Sequence, residues 1–189
     1  MVSEIALGPG ARVRIWCGDA SIPRSEIDGV RLGSIPANRS ATVVHGTVGM
    51  EAVVARGARS AYGLLVLRFV DAAPEGDRRA LRLEVPFSDS GGPWPGSLAA
   101  EVDDVRSGLA SEYADSVLKA LASHARGRFP AGTVTVAGAA HGVAGSSPDF
   151  FARIVRALME LQLMERAVPL VEDAIASELR SLLVTGAAA

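Results

Sequence analysis

The residues best suited to chemistry lie between Ala137 and Val155, in the stretch AGAAHGVAGSSPDFFARIV. His141 stands in a glycine-rich segment, and Ser146 and Ser147 follow it after five and six positions. A histidine can activate a serine nucleophile when a carboxylate orients the imidazole. The pair is a weak signal at this spacing, and Ser147 is better explained as a helix cap. We therefore expect a protein without enzymatic activity.

The other reactive side chains are scattered along the chain. His45 falls in a predicted strand and His124 on a predicted helix, and the three histidines have no closely spaced acidic partner, so no metal site is expected. Cys17 is the only cysteine, which excludes an internal disulfide and a cysteine-rich metal site. The lone lysine, Lys119, is not part of a phosphate-binding loop. Neither GTP binding nor a cofactor is expected.

The composition limits the classes of partner. Hydrophobic residues make up 49% of the 189 residues and the formal net charge is −2, so a globular core is expected and any nucleic-acid contact must be local. The N-terminus lacks a basic head followed by an apolar run, and no apolar run approaches the roughly 18 residues that span a bilayer. These features predict a cytoplasmic protein without a membrane segment.

The elements that must position these residues are predicted from apolar periodicity. Residues 1–40 are interpreted as an N-terminal extension with one strand, ARVRIWC, followed mostly by loop. Residues 41–184 are interpreted as one domain, and residues 185–189 as a disordered tail. The domain opens with two long strands around the turn ARGARS and a third strand, RRALRLEVPF.

The second part of the predicted domain alternates helices with one strand. After the loop SDSGGPWPGS come the helix SEYADSVLKALASHAR, the strand AGTVTVAGAA, the helix SPDFFARIVRALMELQLMER and a third amphipathic segment, PLVEDAIASELRSLLV. Ser147 suits the N-cap of the second helix, with Pro148 and Asp149 in its first turn. This order predicts an α+β fold in which helices cover one face of a sheet.

The helix SPDFFARIVRALMELQLMER is apolar on more than one face. Phe150, Ile154, Leu158 and Leu161 form its predicted core stripe. The rest of its apolar surface is covered either by the third segment or by a second chain, so a homodimer is an open alternative.

Four segments match, in the same order, the motifs of one known domain. They are GARSAYGLLVLRF, SGLASEYADSVLKAL, GRFPAGTVTVAGAAHGVAGSSPDFF and PLVEDAI. Through them, residues from about 41 to 176 resemble the fourth domain of elongation factor G, a translational GTPase. The resemblance implies the fold of the second domain of ribosomal protein S-five, with a four-stranded sheet, helices on one face and a left-handed β-α-β crossover.

The resemblance also implies a binding surface. The tip of the elongation factor G domain enters the decoding region of the small ribosomal subunit and resembles a tRNA anticodon arm. In this chain the corresponding loops carry Arg56 and Arg59 on one side and His141, Gly142 and Ser146 on the other. Arginines can contact phosphates and stack on bases, and glycines let the backbone approach RNA closely. These residues are therefore expected to be neighbours that contact RNA.

The chain also departs from the family pattern. Ala144 and Gly145 stand where the family loop has an aspartate, and no GTPase motif is present. Three hypotheses remain open: a non-enzymatic ribosome- or RNA-binding module, a self-associating interaction module that kept only the fold, and a small-molecule binder or enzyme with a pocket under the loop that carries Trp94.

Overall fold

A computed structural model describes residues 2–18, 23, 25–57, 59–72, 79–164, 176–177 and 179–185, without the side chain of Arg56. These residues form an α+β structure with one mixed, open sheet. Its elements are β1 (Val2–Gly8), β2 (Ala11–Cys17), β3 (Gly29–Pro36), β4 (Thr47–Arg56), β5 (Arg59–Asp71), β6 (Ala80–Phe87), β7 (Val105–Ser107), α1 (Ser111–Ala125), β8 (Gly132–Gly142), α2 (Pro148–Leu163) and a π-helical turn at Arg180–Thr185.

The sheet has eight strands, so the expectation of a four-stranded sheet is wrong. Its order is β1-β2-β4-β5-β8-β6-β3, with the short strand β7 pairing to β8. The β6–β8 pair is parallel, whereas the other pairs are antiparallel. Parallel neighbours need a crossover connection, which here contains β7 and α1.

The extra strands come from the first 36 residues. β1 and β2 extend the sheet beyond β4, and β3 extends it beyond β6 on the opposite edge. The prediction of a loop was therefore wrong for Gly29–Pro36. Glycine and proline weaken the strand signal of this segment, and pairing along the full length of β6 overrides the local preference.

The two long helices cover one face of the sheet. α1 packs on α2, β6 and β3, while α2 packs on β5 and β4. The Ser147 hydroxyl accepts a hydrogen bond from the backbone nitrogen of Phe150 at 3.2 Å, so the predicted N-cap is confirmed. Phe150, Ile154, Leu158 and Leu161 are all buried in the main core, as predicted.

The opposite face carries a second apolar cluster. The connection from residue 88 to residue 104, called the Trp94 loop below, lies over β2, β4 and β5 and buries Leu98 and Ala99 against Trp16 and Tyr62. This loop therefore covers part of the second face, where the sequence left open either a connection between elements or the cover of a pocket.

Much of the predicted third amphipathic segment lies outside the described residues. At its described end, the π-helical turn buries Leu182 and Leu183 in the main core. The Arg180 Nε atom donates a hydrogen bond to the carbonyl of Leu7 on β1 at 2.6 Å. Residues 186–189 of the predicted tail also lie outside the described part of the chain.

Candidate functional site

Two loops lie side by side at one end of the sheet and are called the tip below. They are the β4–β5 turn, of which Arg56, Gly57, Arg59 and Ser60 are described, and the β8–α2 loop, residues 142–147. The backbone nitrogen of Tyr62 donates to the Gly145 carbonyl at 3.0 Å. A side chain at Gly145 would place its Cβ 2.5 Å from the Ser60 carbonyl oxygen, so the loops are in direct backbone contact. The structure thus brings together the two loops that sequence reasoning singled out.

The arginines of the tip occupy the β4–β5 turn. Arg56 and Arg59 are backbone partners across the turn, on either side of Gly57. The side chain of Arg56 lies outside the described part of the structure. Arg59 is exposed and has no hydrogen-bond or ion-pair partner among the described residues. Its guanidinium is therefore available to an external anion.

His141 has a more enclosed position. Its Nδ1 atom lies 2.9 Å from the Gly108 carbonyl oxygen, and because a carbonyl only accepts, Nδ1 carries the proton in this contact. Its ring packs on Tyr113 of α1 in an edge-to-face arrangement, with 6.0 Å between ring centroids. The imidazole therefore anchors β8 to the segment before α1.

Gly142 and Ser146 maintain the shape of the β8–α2 loop. The Ser146 hydroxyl accepts a hydrogen bond from the Gly142 backbone nitrogen at 2.8 Å. The same hydroxyl donates to the Tyr62 carbonyl at 2.8 Å. With both roles of the hydroxyl used, these contacts hold the loop against β5.

Asp103, in the Trp94 loop, contacts the tip and was missed by sequence reasoning. Its two carboxylate oxygens accept hydrogen bonds from the backbone nitrogens of Ala144, at 3.1 Å, and Gly145, at 2.8 Å. The loop without its own aspartate is thus held by one from the Trp94 loop. Only the acidic run EVDDV marks Asp103 in the sequence, and nothing local to it indicates a partner 41 or 42 positions away.

Charges of both signs lie at the tip and in the Trp94 loop beside it. Asp104 pairs with Arg106 at 3.0 Å on the surface, and Glu101 is exposed nearby in the sequence. The carboxylate of Asp103 stands beside the loop amides. Any anion that contacts Arg59 therefore meets a locally mixed field, and its attraction will be modest and sensitive to salt.

A second candidate site lies under the Trp94 loop. A cavity of about 260 Å³ is lined by Val2, Arg14, Trp16, Glu51, Leu64, Trp94 and Gly96. The sequence predicted a pocket here only as the third hypothesis. The signal that could have strengthened it is Glu51, a single acidic residue inside an apolar strand.

Glu51 is almost fully buried and its charge is compensated. Only 1% of it is exposed, and its oxygens accept from Arg14 Nη1 at 2.9 Å, the Tyr62 hydroxyl at 2.9 Å and the Leu98 backbone nitrogen at 2.8 Å. Burial, reinforced by the adjacent Glu51, raises the pKa of Tyr62 above its usual value, so the phenol remains a donor at neutral pH. This network ties the Trp94 loop to β2, β4 and β5.

A larger cavity, of about 490 Å³, opens where β6 and β8 separate. Their parallel pairing ends at Glu84 and Thr135, and β7 pairs with β8 from Ala140 onward. The Thr135 hydroxyl in its lining donates to Glu84 at 3.0 Å, and Arg68 is also engaged in an interaction. Fewer unsatisfied polar groups therefore converge here than under the Trp94 loop.

The remaining reactive residues, Cys17, His45 and His124, lie outside both candidate sites. Burial raises the pKa of the Cys17 thiol, which disfavours the thiolate. His45 precedes β4, whereas the sequence predicted it within the strand. Burial, and to a smaller extent the charge of Arg156, lower the pKa of His124 on α1.

The last features are those that bear on metal binding, on membrane spanning and on similarity to known proteins. Within the described ranges, no group of three or more His, Cys, Asp or Glu side chains is placed to hold a metal ion. No helix in the described part of the chain is long and apolar enough to cross a membrane. Comparison of the chain with protein-family models, with curated proteins and with solved structures found no match.

Proposed function

We propose that this chain is a non-enzymatic binding module that contacts RNA of the small ribosomal subunit through its tip. The observation that carries the proposal is the contact between the two tip loops, through Tyr62 and Gly145, beside the exposed Arg59. Two adjoining loops with an exposed guanidinium form a surface that can approach a phosphate backbone.

The centre of the sheet supports the same proposal. The strands β4, β5, β8 and β6 are neighbours in that order, and the β6–β8 crossover contains α1. This arrangement is compatible with the fold implied by the resemblance to elongation factor G domain four. The proposal accordingly includes a left-handed crossover, and treats β1, β2 and β3 as additions to the two edges of that core.

Charge sets the expected strength of binding. The net charge of −2 and the acidic residues Asp103 and Asp104 beside the β8–α2 loop weaken long-range attraction to RNA. Contacts are therefore expected to involve few phosphates, and affinity should fall as salt rises with a shallow slope.

Co-sedimentation of the full chain with small ribosomal subunits tests the proposal. Binding is expected at about 50 mM salt and should decline by about 200 mM salt. Arg59→Ala should weaken binding severalfold. It should also reduce the slope of log affinity against log salt concentration by the amount expected for about one lost phosphate contact. Arg82→Ala is the matched control, since Arg82 is an exposed arginine on β6, away from the tip. Failure of the wild-type chain to co-sediment at low salt would overturn the proposal.

A second candidate function, self-association, is favoured by the edge strand β3. Val30 and Leu32 are 44% and 70% exposed on the same face of this edge. An exposed apolar edge is a template for pairing with another strand. Sedimentation velocity should then show a dimer that Leu32→Lys dissociates and Val102→Lys, a change at an exposed valine of the Trp94 loop, does not. A strict monomer at high concentration would exclude this function.

A further inference from the structure

The edge strand β3 has backbone hydrogen-bonding groups on its outer side that no described strand uses. The Ala37 backbone nitrogen, one residue beyond β3, donates to the Arg79 carbonyl at 2.9 Å, in the register that pairs β3 with β6. Because backbone groups alternate in direction along an antiparallel strand, the odd-numbered residues of β3 bond to β6 and the even-numbered ones face outward. The outward residues with both an N–H and a C=O are Val30, Leu32 and Ser34.

Pro36 marks the point where this outer edge stops. It is the next outward residue and has no N–H, and proline in a sheet is found where that group is not needed. The opposite edge of the sheet is partly occupied, since Arg180 Nε donates to the Leu7 carbonyl on β1. Among the described strands, the segment Val30–Ser34 is therefore the stretch of edge best suited to pair with another strand.

Exposed charges of opposite sign stand at the two ends of this segment. Glu26 and Asp28 precede β3 at one end. At the other end Arg39 follows the strand, and Arg82 on β6 is the register partner of Ser34. Both arginines are exposed and have no hydrogen-bond or ion-pair partner among the described residues. An edge with one acidic and one basic end is complementary to a copy of itself that runs antiparallel.

We infer that two copies of this chain pair antiparallel along β3, with Leu32 opposite its own counterpart at the two-fold axis and Val30 opposite the partner's Ser34. Each outward residue then exchanges both backbone hydrogen bonds with the second copy, and the basic end of each copy meets the acidic end of the other. This pairing rests on the self-association proposed above and specifies its geometry. It uses none of the tip residues, because β6 and β8 separate β3 from the strand β5.

A neighbouring register would bring like charges together. Setting Val30 opposite the partner's Leu32 also sets the two Arg31 residues opposite each other, and like charges in such positions are destabilising. In the inferred register Arg31 faces the partner's Gly33, which has no side chain. The Arg31 Nε atom can then keep its hydrogen bond to Asp115 of α1, at 3.0 Å.

A shift in the other direction would lose hydrogen bonds. The register that sets Leu32 opposite the partner's Ser34 brings Pro36 into the pairing. Proline has no N–H to donate, so the bond that it would make to the partner's Val30 is lost at each end. The inferred register avoids both penalties.

Cysteine cross-linking tests the register. Opposed residues of a hydrogen-bonded antiparallel pair have Cα atoms about 5.5 Å apart, which a disulfide can span. Under mild oxidation Leu32→Cys should form a covalent dimer. An equimolar mixture of Val30→Cys and Ser34→Cys should also do so, whereas each of these two variants alone should cross-link several times less. The controls are the wild type, whose only cysteine is Cys17, and Val102→Cys, at an exposed position of the Trp94 loop.

Sedimentation velocity of the full chain separates the pairing from self-association itself. A dimer whose cross-links follow the expected pairs supports the inference. A dimer that cross-links only in a mixture of Val30→Cys and Leu32→Cys, or at none of these positions, overturns the inferred register and leaves self-association standing. A strict monomer at high concentration overturns both.

Charge exchange tests the polarity of the edge. Arg39→Glu makes both ends acidic and should weaken dimerisation severalfold, and Glu26→Arg added in the same chain should restore it. Arg59→Glu, the same change of charge at the tip, is the control and should leave dimerisation unchanged. Equal weakening by Arg39→Glu and Arg59→Glu would show that only net charge matters, and would contradict the antiparallel arrangement of the ends.

Discussion

The carboxylate of Asp103 accepts a hydrogen bond from the backbone nitrogen of Gly145 at 2.8 Å, and so secures the β8–α2 loop from outside. Its other oxygen accepts from Ala144 at 3.1 Å. Hydrogen bonds to an ionised carboxylate are stronger than those between neutral groups. The Trp94 loop therefore helps to set the shape of the tip as well as covering the cavity.

Replacement of Asp103 by alanine should loosen the tip. Loss of two charge-assisted hydrogen bonds is expected to lower the free energy of unfolding by about 1–3 kcal/mol. Amide hydrogen exchange at Ala144 and Gly145 should accelerate, because both donors lose their acceptor. Asp104→Ala is the control, since its surface pair with Arg106 is worth less than about 1 kcal/mol. Equal exchange rates in wild type and Asp103→Ala would show that the loop is ordered by other contacts.

Substitution of Glu51 by glutamine should be more damaging. The change puts an amide N–H₂ group among three donors and removes the buried negative charge that pairs with Arg14 at 2.9 Å, so the free energy of unfolding should fall by about 2–4 kcal/mol. Urea denaturation of the two proteins measures the difference. Glu4→Gln, at a half-exposed position 3.6 Å from the same arginine, should cost less than about 1 kcal/mol. Similar losses in the two variants would argue against a special role for the buried carboxylate.

The predictable parts of the fold are those with local signals. The α2 helix combines a capping serine, a proline and an apolar stripe, and all three are consistent with the observed helix. In β3, by contrast, the face that carries the buried Ile35 otherwise holds Gly29, Arg31 and Gly33, so no apolar alternation marks the strand, and long-range pairing with β6 defines it. Local sequence predicts an element reliably when propensity and tertiary context agree.

The same distinction applies to the candidate sites. The neighbouring tip loops were expected from the family resemblance. The role of Asp103 depends on partners 41 and 42 positions away in the sequence, and that of Glu51 on partners 11 to 47 positions away. His141 was expected to contact RNA, which stays a prediction; within the fold its ring contacts Gly108 and Tyr113. A single sequence shows that a residue can donate or accept, but the fold determines which partner it meets.

The N-cap of α2 can be tested directly. Ser147→Ala removes the acceptor of the Phe150 backbone nitrogen and should lower the free energy of unfolding by about 1 kcal/mol. Ser147→Asp keeps an acceptor at the same place and adds a negative charge near the positive helix end, so stability should be retained. Thermal and urea denaturation of the two variants provide the comparison. Alanine and aspartate variants of equal stability would mean that this hydroxyl contributes little.

Glu160 should give the protein part of its sensitivity to acid. Both Arg128 Nη atoms donate to the Glu160 carboxylate, at 2.6 and 2.7 Å, and this contact lowers the pKa of Glu160 below its ordinary value of 4.5. The folded state therefore holds the proton less tightly than the unfolded state, so the stabilisation is complete above the ordinary pKa and is lost as pH falls through the lowered one.

Measurements of unfolding free energy from pH 7 to pH 3 test this dependence. Because Arg128 and Glu160 are partly exposed, Glu160→Gln should cost only about 0.5–1 kcal/mol at pH 7. The difference from wild type should shrink as the solution is acidified below the ordinary pKa of glutamate, since protonation of the wild-type carboxyl removes the same ion pair. Glu101→Gln, at an exposed position, is the control. A difference that stays constant over the whole range would show that the Arg128 contact is not responsible for it.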